Sequence, residues 1–232
     1  MSTATLHYIH DPLCGWCYGA APLVKAAREV LPVQAHGGGM MAGAARRPVT
    51  SDLRGFVLPH DRRIAQLTGQ PFGAAYADGP LRDTTAVLDS EPPIAATLAA
   101  EAIASRGLDL LARLQTAHYV EGRRIADSAV LEELAEQIGL GREAFTKALR
   151  DAEGEAVQQH MGQTRALMRR LHLRGFPSFV LERNGDWNTV DIGPFLVRPA
   201  AFADWLRREV PDAVAAAPGA AAFQCGPDGC AV

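Results

Sequence analysis

Residues 11–22 read "DPLCGWCYGAAP", and they set Cys14 and Cys17 three apart in a chain that has only four cysteines. Three readings compete for such a pair: a working dithiol, half of a metal site, or core filler. The flanking sequence narrows the choice. Upstream, "TLHYIHD" alternates apolar with polar residues and then meets Pro12, which predicts a strand ending at about Asp11. Downstream, Ala20, Leu23, Val24, Ala27, Val30 and Leu31 recur at helical spacing until Pro32 stops the run. A second strand is expected over residues 33–38, breaking into the "GGGMM" run of Gly37 to Met41. Strand, Cys-x-x-Cys, helix and strand in that order form the first half of a βαβ unit.

A dithiol at a helix start has a physical rationale. The unpaired backbone N–H groups and the helix dipole favour thiolate at the first cysteine, so Cys14 is the expected nucleophile. Cys17, one turn further in, can attack a mixed disulfide on Cys14 and release the product, which completes thiol–disulfide exchange. Gly15 and Trp16 between them carry no charge, so a less oxidising couple is expected than where a histidine stands there. Trp16 either offers an aromatic surface to an apolar substrate segment or packs over the helix start. Pro22 falls inside the helix, where it removes an N–H and should kink the axis. Just upstream, His10 and Asp11 are the nearest proton-handling candidates, although Asp11 also suits a cap for the turn into Pro12.

Beyond Pro48 the pattern is helical as far as about Arg174. One helix is expected behind Ser90, Pro92 and Pro93 and ends at Gly107, with Leu108, Leu111 and Leu114 continuing the spacing. "DSAVLEELAEQIG" offers Asp127 as N-cap and Gly139 as terminator, and further helical spacing runs from Phe145 to Leu171. After Gly175 the period returns to two. "FPSFVLE" and "NTVDIG", joined at Asn184-Gly185, predict a hairpin, and a last helix follows from Pro199 to about Val210. Residues 211–224 are small and proline-interrupted, as in a tether, and "CGPDGC" beyond them carries Cys225 and Cys230.

Bulk properties exclude several classes. With 48% hydrophobic and 21% charged residues the chain reads as a packed globule. A net charge of −3 gives no global attraction to nucleic acid or anionic lipid. Arginine pairs such as Arg62-Arg63, Arg123-Arg124 and Arg169-Arg170 read as solvated helix faces. No basic leader with an apolar run opens the chain and no stretch is long enough to span a bilayer, so the expected location is the cytoplasm. Thiols are kept reduced there, which favours a catalytic, redox-sensing or metal-binding pair over a permanent staple. His36, His60, His118, His160 and His172 show no ligand spacing, and "HGGGMM" lacks a phosphate-loop pattern and reads as a flexible turn near the active face.

"DPLCGWCYGAAP", the helix proline at Pro22 and "RGFPSFV" before a terminal hairpin and helix together resemble the thioredoxin superfamily. The long helical block resembles its DsbA-like branch, and "HYVEGRRIADSAVLEELAEQIGL" resembles the insertion segment of the FrnE-type disulfide isomerases. The resemblance implies an α/β, thioredoxin-like fold with a large all-helical insertion between the βαβ and ββα halves. Residues 1–47 and 172–210 would form the thioredoxin-like domain, 48–171 the insertion, and 211–232 a flexible tail. It further implies that Cys14 attacks, that Cys17 resolves, and that Phe176-Pro177 is a cis-proline loop whose backbone pairs with extended substrate.

The expected activity is therefore that of a protein thiol–disulfide oxidoreductase or isomerase without a bound cofactor or metal. Its partners would be disulfide- or thiol-containing proteins or peptides, with a cellular thiol reductant such as glutathione or a thioredoxin system as electron donor. Cys225 and Cys230 resemble the C-terminal pair of FrnE-type proteins. A flexible fourteen-residue tether spans on the order of 20 Å, so exchange with the active site is sterically reasonable. Two rivals stay open: a glutathione-dependent small-molecule isomerase or transferase, and a redox or zinc-binding module using both cysteine pairs.

Overall fold

In the computed structural model, residues 4–211 are described. Cys225 and Cys230, expected to form an auxiliary pair, lie outside the described residues. The alternating opening segment forms strand β1 (Ala4–His10), and the expected helix follows as α1 (Gly15–Arg28). Glu29 to Leu31, which the apolar spacing had included, form a closing turn in which Val30 and Leu31 both donate to the Ala27 carbonyl. Strand β2 (Val33–Gly37) then pairs parallel to β1.

At the other end of the chain, β5 (Ser178–Arg183) and β6 (Asp186–Val190) form the expected hairpin, and α9 (Pro199–Glu209) closes the fold. Asn184 and Gly185 have φ of 52° and 91°. Positive φ at both central residues is what a tight hairpin turn requires, and Asn-Gly tolerates it. β5 pairs antiparallel with β1, giving a mixed sheet in the order β2-β1-β5-β6. One face of the sheet buries Leu6, Tyr8, Phe179 and Leu181 against Leu23 and Ala27 of α1 and Phe202 and Leu206 of α9.

Between the halves lies the helical insertion: α2 (Ser51–Thr68), α3 (Ala74–Asp78), α4 (Glu91–Ala104), α5 (Gly107–Tyr119), α6 (Ser128–Gln137), α7 (Arg142–Ala152) and α8 (Glu155–Arg170). Two-residue strands β3 (Arg47–Pro48) and β4 (Val87–Leu88) pair at its edge. The insertion helices bury Ile94, Leu110, Leu114, Leu131, Leu134 and Phe145 completely, in a core that Leu13 and Ala42 also join. Helix α4 stops earlier than expected, at Ser105 with φ of 52°, and Gly107 opens α5 instead of ending α4. A Cβ at Gly107 would lie 2.8 Å from the Thr97 carbonyl oxygen, so glycine serves a close approach between the two helices there.

A third apolar cluster joins α1 to the insertion. Tyr18 of α1 packs with Tyr76 and Tyr119, and the Tyr18 and Tyr119 rings stack with centroids 4.9 Å apart. Pro22 leaves the Tyr18 carbonyl without its helical donor. Gln70, just past α2, supplies one: its Nε2 donates to that carbonyl at 3.1 Å.

Candidate active site

Cys14 is the N-cap of α1, with extended backbone (φ −92°, ψ 113°). Its Sγ accepts from the backbone N–H of Cys17 at 3.4 Å, so the sulfur occupies the place an N-capping oxygen would take. The geometry places the Cys14 sulfur at the positive end of a helix. On its other side the Cys14 thiol donates to the Phe176 carbonyl at 3.6 Å. The Phe176–Pro177 peptide bond is cis, and the "GFP" segment lies against the dithiol. Trp16 and Phe176 are both half-buried and pack against the cluster that contains the two cysteines.

Cys14 is 6% exposed and Cys17 fully buried, and the two thiols are unbridged. Burial pushes the Cys17 thiol well above its ordinary range, and the neighbouring Cys14 adds to the effect. Cys17 is therefore held as the thiol. The Tyr8 hydroxyl, beneath the dithiol, donates to the Cys17 carbonyl at 3.2 Å.

Asp11 is fully buried and accepts three hydrogen bonds. Leu13 N–H and the Ser90 hydroxyl donate to Oδ1, each at 2.9 Å, and Met40 N–H donates to Oδ2 at 2.6 Å. The Leu13 bond is the turn cap expected from the sequence. The other two tie the dithiol turn to the glycine run and to the residue preceding α4. Burial raises the Asp11 carboxyl to about 6 in spite of these donors. His10 is equally buried, and burial lowers it to about 3, so it stays neutral in the working pH range.

The glycine run is pinned beside the site. Gly38 N–H donates to the His10 carbonyl at 2.9 Å, and Arg165 of α8 donates to the Gly38 and Gly39 carbonyls at 3.0 and 2.8 Å. A Cβ at Gly38 would fall 2.3 Å from the Phe176 ring. A cavity of about 620 Å³ opens here, with Met40, Ala42, Arg165, Met168 and Phe176 in its lining. His7 shares hydrogen bonds with His36 and Glu182, both at 2.9 Å, and His160 accepts from Gly37 N–H at 2.9 Å. Among the described residues no group of three or more His, Cys, Asp or Glu is disposed to hold a metal ion.

Several residues at the site carry no sequence signal. Tyr8, Ser90 and Arg165 reach it from separate elements. So does Asp61, a buried carboxyl on α2 that borders Gly15 and accepts from the Tyr76 hydroxyl at 3.1 Å.

Comparison with known proteins gives a consistent picture. Residues 80–197 match the model of the DSBA-like thioredoxin domain family. Among solved structures, the cytosolic disulfide reductase DsbM from Pseudomonas aeruginosa is 54% identical, with a TM-score of 0.84 over 89% of this chain and 98% of that one. Its structure with GSH matches at 52% identity and a TM-score of 0.83, over 89% and 99% of the two chains. A putative protein disulfide isomerase from Nitrosomonas europaea is 25% identical, with a TM-score of 0.73 over 90% and 98%. No curated protein sequence matches the chain.

Proposed function

Because the chain belongs to the DsbA-like thioredoxin-domain family and is a thiol–disulfide oxidoreductase, we propose that it acts as a cytosolic disulfide reductase with Cys14 as nucleophile and Cys17 as resolving thiol. The observation that supports this assignment is the Cys14 sulfur, capped by Cys17 N–H and facing the Phe176 carbonyl. The Cys14 thiolate attacks a substrate disulfide, forms a mixed disulfide and expels one substrate thiolate. Cys17 gives up its proton, attacks the Cys14 sulfur and expels the second thiolate. The enzyme is left with a Cys14–Cys17 disulfide and the substrate with two thiols.

Two further thiols must return the enzyme to its dithiol state. Glutathione is the donor favoured here, because a relative half identical over nearly its full length was solved with GSH. Two glutathione molecules supply the two electrons and leave as glutathione disulfide. Substrates are disulfide-containing proteins or peptides whose extended backbone lies along Phe176-Pro177, with Trp16 as an apolar neighbour. Asp11 holds the turn that presents Cys14.

The test is insulin-disulfide reduction driven by glutathione. Cys14→Ser should abolish it, and Cys17→Ser should accumulate mixed disulfides that mass spectrometry can identify. Full activity in Cys14→Ser would overturn the assignment.

A further inference from the structure

Asp61 sits against the dithiol turn from the insertion side. It is 6% exposed, and its Oδ2 accepts from the Tyr76 hydroxyl of α3 at 3.1 Å. Its Oδ1 faces Gly15: a Cβ built there would lie 3.0 Å from that oxygen and 3.0 Å from Ile64 Cδ1. The carboxylate thus borders the residue that follows the attacking cysteine, at the first turn of α1, where free N–H groups would otherwise serve the Cys14 sulfur alone.

The titratable groups acting on or with Asp61 are His60 on its own helix, Tyr76 on α3 and Tyr119 on α5, and Tyr119 in turn feels both Asp61 and the two cysteines. The other buried carboxyl near the dithiol is Asp11, which acts on Cys17. Burial raises the Asp61 carboxyl to about 6, so it is ionised at neutral pH. Its charge in turn helps push the Tyr76 and Tyr119 hydroxyls well above their ordinary range, after the larger effect of burial. A buried negative charge at this place opposes a second one on Cys14 and competes with it for the helix dipole.

In a dithiol–disulfide couple, stabilising the thiolate stabilises the reduced form and makes the couple oxidising, and opposing the thiolate does the reverse. We propose that Asp61 is a positioning residue that holds the Cys14–Cys17 couple at the reducing end, so that the enzyme donates electrons to disulfides instead of drawing them. The proposal rests on the reductase reading above. It gives α2 a role in setting the direction of the reaction without touching the substrate.

The experiment is the redox equilibrium with glutathione, in which the enzyme dithiol and glutathione disulfide exchange for the enzyme disulfide and two glutathiones. Asp61→Asn should lower this equilibrium constant about tenfold, which is about 30 mV for a two-electron couple. Asp61→Glu, which keeps the charge, should restore most of the parent value. The gap between parent and Asp61→Asn should be full above about pH 6 and shrink as Asp61 itself takes up its proton below that.

An unchanged constant in a folded Asp61→Asn variant, or a gap independent of pH, would overturn the assignment. If that variant does not fold, Tyr76→Phe removes the donor that lowers the Asp61 carboxyl and should move the pH break of the constant upward, whereas Asp11, which also lies near 6, is left as it was. A break that stays where the parent has it counts against the role equally. Insulin reduction by the parent separates the two levels. Its absence removes the reductase reading, whereas its presence with an unmoved constant removes only the role of Asp61.

Discussion

Adding one methyl group at Gly38 should disable the enzyme without touching either cysteine. The new Cβ would lie 2.3 Å from Cε1 and Cζ of Phe176, where carbon atoms normally rest about 3.5–4.0 Å apart. More than an ångström must be found by moving the ring or the strand end. Gly38 is tied on one side by its N–H to the His10 carbonyl and on the other by its carbonyl to Arg165, so Phe176 has to yield.

Overpacking of this kind costs about 1–3 kcal/mol. For a chain of this size that lowers Tm by about 2–4 °C per kcal/mol. The effect on turnover should be larger, because the Phe176 carbonyl faces the Cys14 sulfur and a 1 Å misplacement of a positioning group costs about a hundredfold. Insulin reduction and thermal unfolding of Gly38→Ala measure both quantities. Gly162→Ala is the control: nothing lies within 4 Å of its Cβ, in the exposed middle of α8, and it should raise stability by about 0.5–1 kcal/mol. Normal turnover with an unchanged Tm in Gly38→Ala would refute the idea that the glycine run exists to seat Phe176.

Two further outcomes follow from buried polar groups. Gln70→Ala should destabilise the parent by about 1 kcal/mol in urea unfolding, because the Tyr18 carbonyl loses its donor. In a Pro22→Ala background, where residue 22 regains an N–H for that carbonyl, the same change should be nearly silent, and equal effects in both backgrounds would exclude the coupling. His118, buried between Tyr76 and Tyr119, is held down to about 4 by burial. Its contribution to stability is complete above the unfolded value of about 6.5 and is lost as pH falls through about 4. His118→Phe should therefore flatten the decline in urea midpoint between those pH values, sparing on the order of 3 kcal/mol across the window. An acid limb as steep as the parent's would contradict this.

Local signals explain what could be read in advance. Cys14 and Cys17, the apolar spacing of α1, the Asn184-Gly185 turn and the period change after Gly175 each act over a few residues, and the sequence shows them directly. Helix α2 is less legible, since Gly55 and Pro59 interrupt it and only Asp61, Ile64 and Thr68 are buried on it. Asp61 looks like a surface acid among "PHDRR", and only the docking of α2 on Gly15 makes it a neighbour of the dithiol. The glycine run read as a flexible turn because nothing near Gly38 in sequence announces the Phe176 ring. His7 and His36 likewise meet only through the parallel pairing of β1 with β2.

The bond from Gln70 to the Tyr18 carbonyl bears on how separable the two parts of the molecule are. A trimmed protein reduced to its sheet, α1 and α9 would keep both cysteines yet lose the donor that completes the dithiol helix at Pro22. It would also lose the carboxylate beside Gly15. Transplanting "CGWC" alone onto another scaffold should carry over the two thiols and leave their surroundings behind. The insertion is part of the reactive helix's own wiring, and the smallest transferable unit includes it.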